Sequence, residues 1–189
     1  MNTPAHLLIG AALFSKRDNL ALLGGALAGG LLPDLSLYVL AGVSIFVLSI
    51  PADVVFDKLY FSDSWQLVFS IDNSFILWGI GLVLAVAFKR PVFIAMTCAA
   101  LLHLICDFAL HHDDARAHFW PISNWRFESP LSYWDSNHRA ALVAPLAGVA
   151  TGFATVYMLT GTLHKGIKLG LLLLFLAELF VLVSWLMYF

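Results

Sequence analysis

The chain has 189 residues, of which 61% are hydrophobic, 14% aromatic and only 12% charged, with a mean hydropathy of +0.88. A soluble domain carries about 25% charge and, at this size, buries only about two-thirds of its unfolded surface, so a water-soluble enzyme, a nucleic-acid-binding domain and a disordered protein are excluded. The net charge of −2 offers no attraction for DNA or RNA, and the composition is that of an integral membrane protein folded as a single domain over residues 1–189.

In chain order, Thr3-Pro4 reads as a helix start, with Thr3 as N-cap and Pro4 at the first helical position. No basic segment precedes the apolar stretch 5–14, so no cleavable signal peptide is expected. Lys16-Arg17-Asp18-Asn19 is a polar turn, and residues 20–32 are apolar and rich in Gly and Ala, which lets helix backbones approach closely in lipid. Both segments are short for a span of about 20 residues, so they are expected to form a tight helical hairpin, tilted or partly embedded. Pro33-Asp34 is expected to break the pattern before a further apolar run at 35–50. Residues 51–73 mix Asp and Lys with Phe, Tyr and Trp, as an interfacial or re-entrant stretch does. Spans follow at 74–88, 91–110, 140–163 and 169–189, with a polar loop at 111–139. The fold class is therefore all-α: a polytopic membrane helix bundle of five to six embedded helices with a short N-terminal hairpin. Cys98 and Cys106 lie roughly 12 Å apart along a helical run, beyond disulfide reach. The glycines around 24–30 have no Lys-Ser/Thr after them, which removes a nucleotide-binding reading.

Three turns carry basic pairs: Lys16/Arg17, Lys89/Arg90 and Lys165/Lys168. The positive-inside rule puts all three in the cytoplasm. The N-terminus, Asp34 and residues 111–139 then fall on the non-cytoplasmic face, provided 35–73 leaves and returns to that face.

Chemistry concentrates at the end of the 91–110 span. His103, Asp107, His111, Asp114 and His118 follow one another at spacings of 4, 4, 3 and 4. On one helix they would share an arc of roughly 80°. Imidazole and carboxylate are ordinary ligands of zinc and similar divalent ions. A stripe of about 22 Å is too long for one ion, so either two ions bind or the helix ends near His111-His112 and the chain folds back. A carboxylate in the bilayer needs a partner, which a metal or a His–Asp hydrogen bond between helices would supply. His6, one turn into the first helix, and Asp34, after the second, should be neighbours across the hairpin. Asp114 or Asp113 is the candidate general base. The aromatic loop 119–139 suits a belt at headgroup level or a lid. Arg116, Arg126 and Arg139 suit headgroup anchoring or a phosphate clamp. Asp135 and His138 read as solvated loop residues or further ligands.

The pattern Thr3-Pro4-Ala5-His6-Leu7-Leu8-Ile9-Gly10, then Gly29-Gly30-Leu31-Leu32-Pro33-Asp34, then the His/Asp-rich helix end, resembles the YdjM-like family of membrane-bound metal-dependent hydrolases. These are small bacterial inner-membrane proteins, with a looser likeness to zinc-dependent phospholipase C. The resemblance implies that His6, Asp34, His103 and Asp107 are metal ligands. The family pattern also tends to place a His-Ser pair at the start of the following span; here that place reads Asp72-Asn73-Ser74.

The expectation is thus a hydrolase in the bacterial inner (plasma) membrane, its site on the non-cytoplasmic face. A divalent metal, zinc first, would be held by His103, Asp107 and His111 with help from His6, Asp34, Asp114 or His118, and would activate a water against a lipid or lipid-linked ester or phosphoester. Two other classes fit the same residues: an ion or metal transporter, and a structural protein with a buried polar cluster. Residues 140–163 and 169–189 carry no matching polar stripe beyond Glu178, which disfavours a continuous ion pathway.

Overall fold

The computed structural model describes residues 1–187, and every regular element among them is helical. Helix α1 spans Thr3–Phe14, and α2 spans Leu20–Gly42 with a π-helical extension, Val43–Val47. A short turn α3 (Ala52–Val54) leads through a π-helical segment, Val55–Leu59, to α4 (Asp63–Asp72) and α5 (Phe75–Ala87). Helix α6 (Pro91–Leu110) precedes a long irregular loop, after which α7 (Ala140–Leu159) and α8 (Lys165–Leu186) complete the bundle. Among the described residues five segments are long and apolar enough to cross a membrane: Leu20–Val47, Asp63–Ala87, Pro91–Leu110, Ala140–Leu159 and Lys165–Leu186. Phe46, Phe153 and Phe180 stand on their outer faces, as a lipid-facing surface requires.

The hairpin expected at the N-terminus differs in two ways. Its first helix is central, not peripheral. Ala5, Leu8 and Ala11 of α1 are fully buried, and Leu8 and Ala11 join a core with Leu23, Met158, Leu163 and Leu171. Its second helix does not stop at Pro33-Asp34 but runs through the proline. Proline removes one N–H from the ladder, and in a membrane helix a neighbouring group can satisfy the backbone so freed. The carbonyl so freed is that of Gly29, four residues before Pro33; one residue on, the Gly30 carbonyl accepts a hydrogen bond from His103 Nδ1 at 2.8 Å. The N-cap also moves by one residue. Asn2 takes that position, and Thr3 enters the first turn, where its hydroxyl donates to Asp34.

Glycines set how closely α2 meets α6. A Cβ on Gly25 would come within 2.5 Å of the Val92 carbonyl oxygen, and one on Gly29 within 1.9 Å of the Met96 carbonyl oxygen. Only a bare backbone fits this contact, the small-residue packing that lipid favours.

Residues 51–73 are less superficial than their composition indicates. Val55, Tyr60, Trp65 and Phe69 pack with Ala41 into a buried cluster, while Phe56 and Phe61 remain exposed. Helix α4 also continues into α5 across Asn73-Ser74 to form one candidate span, so this crossing begins at Asp63 and not at residue 74. Cys98 and Cys106 are both free thiols.

The basic turns gather at one end of the bundle. Arg17 Nη1 donates to Thr160 Oγ1 at 2.9 Å, and the Gly25–Val92 contact sets the start of α6 beside the start of α2. From Leu20 to Asp34, Pro91 to Asp107 and Lys165 to Glu178 the helices rise about 20 to 24 Å. The His/Asp cluster therefore lies toward the opposite end, still within the length of the spanning helices.

Candidate metal centre

Asp107 sits in the last turn of α6, with His103 one turn before it and His111 just beyond the helix end. His111 N donates to the Asp107 carbonyl, which holds its ring next to the helix terminus. Helix α1 brings His6, and α2 brings Asp34 immediately after Pro33. His6, His103, Asp107 and His111 are all at most 6% exposed, and Asp34 is 8% exposed.

These side chains converge on one carboxylate. Asp107 Oδ1 lies 2.9 Å from His6 Nε2 and 3.2 Å from His111 Nε2; Oδ2 lies 3.0 Å from His103 Nε2. The Met1 amino nitrogen is 2.8 Å from the same Oδ1. His103 Nε2 is also 3.6 Å from Asp34 Oδ1, and the rings of His6 and His103 stack at 3.6 Å. His6, His103 and Asp107 each offer a ligand atom within 4.8 Å of the others, a grouping that can hold a metal ion.

The hydrogen positions sharpen this. His103 Nδ1 donates to the Gly30 carbonyl, which fixes the tautomer of the neutral ring and leaves a lone pair on Nε2. His111 Nδ1 bonds Asp114 Oδ2 at 2.8 Å, so in the neutral ring its Nε2 lone pair likewise faces Asp107. Both Nε2 atoms are buried without a hydrogen-bond partner. A lone pair directed at a carboxylate is repulsive and needs either a proton or a cation between the two. Imidazoles whose far nitrogens are tied to a carbonyl and to a carboxylate are oriented as metal-ligating histidines are. Burial pushes the His111 imidazole down, but Asp107 and Asp114 outweigh it and hold the ring above its ordinary value. Burial likewise pushes Asp114 up, while the bond from His111 outweighs it and keeps the carboxyl below the usual range.

The expected stripe from His103 to His118 is interrupted, because α6 ends at Leu110 and the chain folds back. Of the two arrangements open in the sequence, this is the second. His118 is consequently carried elsewhere. Its Nδ1 donates to the Asn73 carbonyl at 2.9 Å, and its ring packs on Phe75 and Phe108. Burial lowers its pKa to about 4. Asp114 is not a free base either: Oδ2 also accepts from Trp134 Nε1 at 3.2 Å, which makes it a positioning group for His111. Asp113 is exposed and lines the cavity beside the cluster. Asn73, where the family resemblance expects a histidine, is fully buried and donates from Nδ2 to the carbonyls of Pro33 and Phe69.

Other participants had weak sequence signals. Thr3 accepts from the Tyr38 hydroxyl at 2.7 Å and donates to Asp34, a relay between residues of unremarkable type. Glu178 was visible as the one acid of α8, but its partner Asn2, 3.1 Å away, lies at the other end of the sequence. A cavity of about 810 Å³ opens beside the cluster, between α2, α8 and the loop after α6.

Comparison with protein-family models, with characterised proteins and with solved structures returns no match. The fold and cluster define a polytopic helical membrane protein with a buried His/Asp group able to hold a metal ion.

Proposed function

We propose that the protein is a membrane-embedded, metal-dependent hydrolase acting on a lipid or lipid-linked ester or phosphoester. The carrying observation is the buried convergence of His6, His103 and His111 on Asp107, with Nε2 of His103 and of His111 3.0 and 3.2 Å from its oxygens. Imidazole with carboxylate is a donor set suited to zinc. Zinc, when bound, supplies Lewis acidity and draws the pKa of water toward neutrality.

The chain's own residues supply the rest. Gly30 and Asp114 orient the rings of His103 and His111. Asp113, exposed at the cavity, is the carboxylate free to take a proton from the attacking water. Leu37, Phe56, Phe61 and Val181 give the same cavity an apolar wall for a lipid chain. With the three basic turns in the cytoplasm of a bacterial inner membrane, the centre faces the non-cytoplasmic leaflet. This is also the function that the YdjM-like resemblance implies.

The test is elemental analysis of purified protein with a hydrolysis screen over lipid esters and phosphoesters. About one equivalent of zinc or a similar ion is expected, lost on His103→Ala together with turnover. Protein free of metal, with stability indifferent to chelator and to His103→Ala, would overturn the reading in favour of a structural polar cluster.

A further inference from the structure

Arg116 is the only arginine or lysine among the described residues lining the cavity beside the His/Asp group. It is 4% exposed, with its guanidinium 4.5 Å from the Phe69 ring centre and 5.6 Å from that of Tyr60. Its Nε and Nη1 are buried and meet no acceptor. A guanidinium cannot shed its charge, so an unpaired fork in a buried site is costly.

The nearby carboxylates do not fill that place. Asp34 accepts from Thr3, Asp107 is surrounded by His6, His103 and His111, and Asp114 is bonded by His111 and Trp134. Had Arg116 been a counter-ion for one of them, a bidentate pair would be the expected geometry. Instead the guanidinium lies over two aromatic rings, with Nε and Nη1 unpaired. A buried guanidinium with unpaired donors matches an oxyanion, and phosphate is the oxyanion that a membrane presents beside apolar chains. Leu37, Phe56, Phe61 and Val181 line the same cavity and suit those chains.

We propose that the site takes a phosphoryl-bearing amphiphile, whose phosphate oxygens accept from the Arg116 guanidinium while its chains lie along the apolar lining. The proposal rests on the hydrolase reading for its consequence, since it names the substrate class of that site.

Binding tests it without turnover. Dioctanoyl phosphatidic acid, dioctanoylglycerol and inorganic phosphate are titrated calorimetrically into the full chain in detergent, both zinc-equilibrated and EDTA-treated. The phosphatidic acid is expected to bind at least about tenfold more tightly than the diacylglycerol, which shares its chains. Arg116→Gln is expected to weaken the phosphatidic acid by about 10- to 100-fold and to leave the diacylglycerol unchanged. Arg116→Lys, which keeps the charge but not the fork, recovers part of the loss and carries the test if the glutamine variant fails to fold. Equal binding of the two lipids, or no loss in either variant, overturns the proposal. Inorganic phosphate binding as tightly as the phosphatidic acid assigns the fork to a free phosphate and overturns the amphiphile. The Arg116 dependence is read in both metal states, so absence of metal or of turnover counts against hydrolysis alone. Turnover of a neutral ester unaffected by Arg116→Gln counts against this inference alone.

Discussion

Among the described residues there are two stacked histidine pairs, each beside an aspartate, and only one of them is sealed from solvent in a group able to hold a metal ion. In the inner pair, His6 and His103 stack at 3.6 Å over Asp107; in the outer pair, His112 and His138 stack at the same 3.6 Å beside Asp135. The outer pair is resolved by ordinary means. His112 Nδ1 donates to the Ser129 carbonyl, His138 Nδ1 bonds Asp135 Oδ2 at 2.6 Å, and both side chains of that ion pair retain access to solvent. The inner group crowds His6, His103 and His111 around one carboxylate, and water does not reach the Nε2 atoms of His103 and His111. The same kinds of side chain thus differ in consequence through burial and crowding, because an unsatisfied polar group is expensive only where solvent is excluded.

The strongest way to break this contrast is to remove an inner ligand. His103→Ala is expected to abolish metal binding, with apparent affinity falling by more than about 100-fold, measured by metal content after dialysis. Retention of a full equivalent would place any ion elsewhere. Asp114→Asn is the next step down. It leaves every candidate ligand in place but removes the carboxylate that orients His111, so a loss of about 10- to 100-fold in metal affinity is expected in a competition titration. An unchanged affinity would detach His111 from the centre.

How much of this was legible in the sequence depends on how far each residue's partner lay along the chain. His103 and Asp107 are one turn apart on one helix, so helical geometry alone joined them. His6 and Asp34 needed only a hairpin. His118 was misplaced because the spacing rule was extended past Leu110, where the helix stops and periodicity no longer governs position. Pro33 reads as a break because proline disrupts helices in water, yet a membrane helix tolerates one missing N–H, and α2 runs through it. The roles of Gly30, Thr3 and Tyr38 had no signal, since a carbonyl and two common hydroxyls acquire meaning only from what faces them.

His118 provides a third test, one that separates neutral burial from metal ligation. Its pKa is lowered to about 4 in the folded chain by burial, against an ordinary 6.5. Between these values the unfolded chain binds the extra proton, so the stability contributed by the neutral ring is complete above 6.5 and is lost as pH falls toward 4. About 2 kcal/mol should disappear between pH 7.5 and 5. Thermal melting across that range, with His118→Gln as the comparison, isolates this part from the titration of the cluster. If the variant keeps the full pH slope, the ring does not fold as a buried neutral base.

The smallest effect belongs to the outer pair. His112→Ala and His138→Ala remove a stack and an ion pair that water can replace, so metal content should be unchanged and the melting temperature should move by no more than about 2 °C. The value of the experiment lies in its match to the inner pair. Each substitution deletes one imidazole from a stack of the same spacing next to an aspartate. If His138→Ala strips the metal as His103→Ala is expected to, burial does not distinguish the pairs, and the outer group holds an ion of its own. If it does nothing, chemically equivalent deletions in the two pairs will have given opposite results, with exclusion of solvent as the physical variable between them.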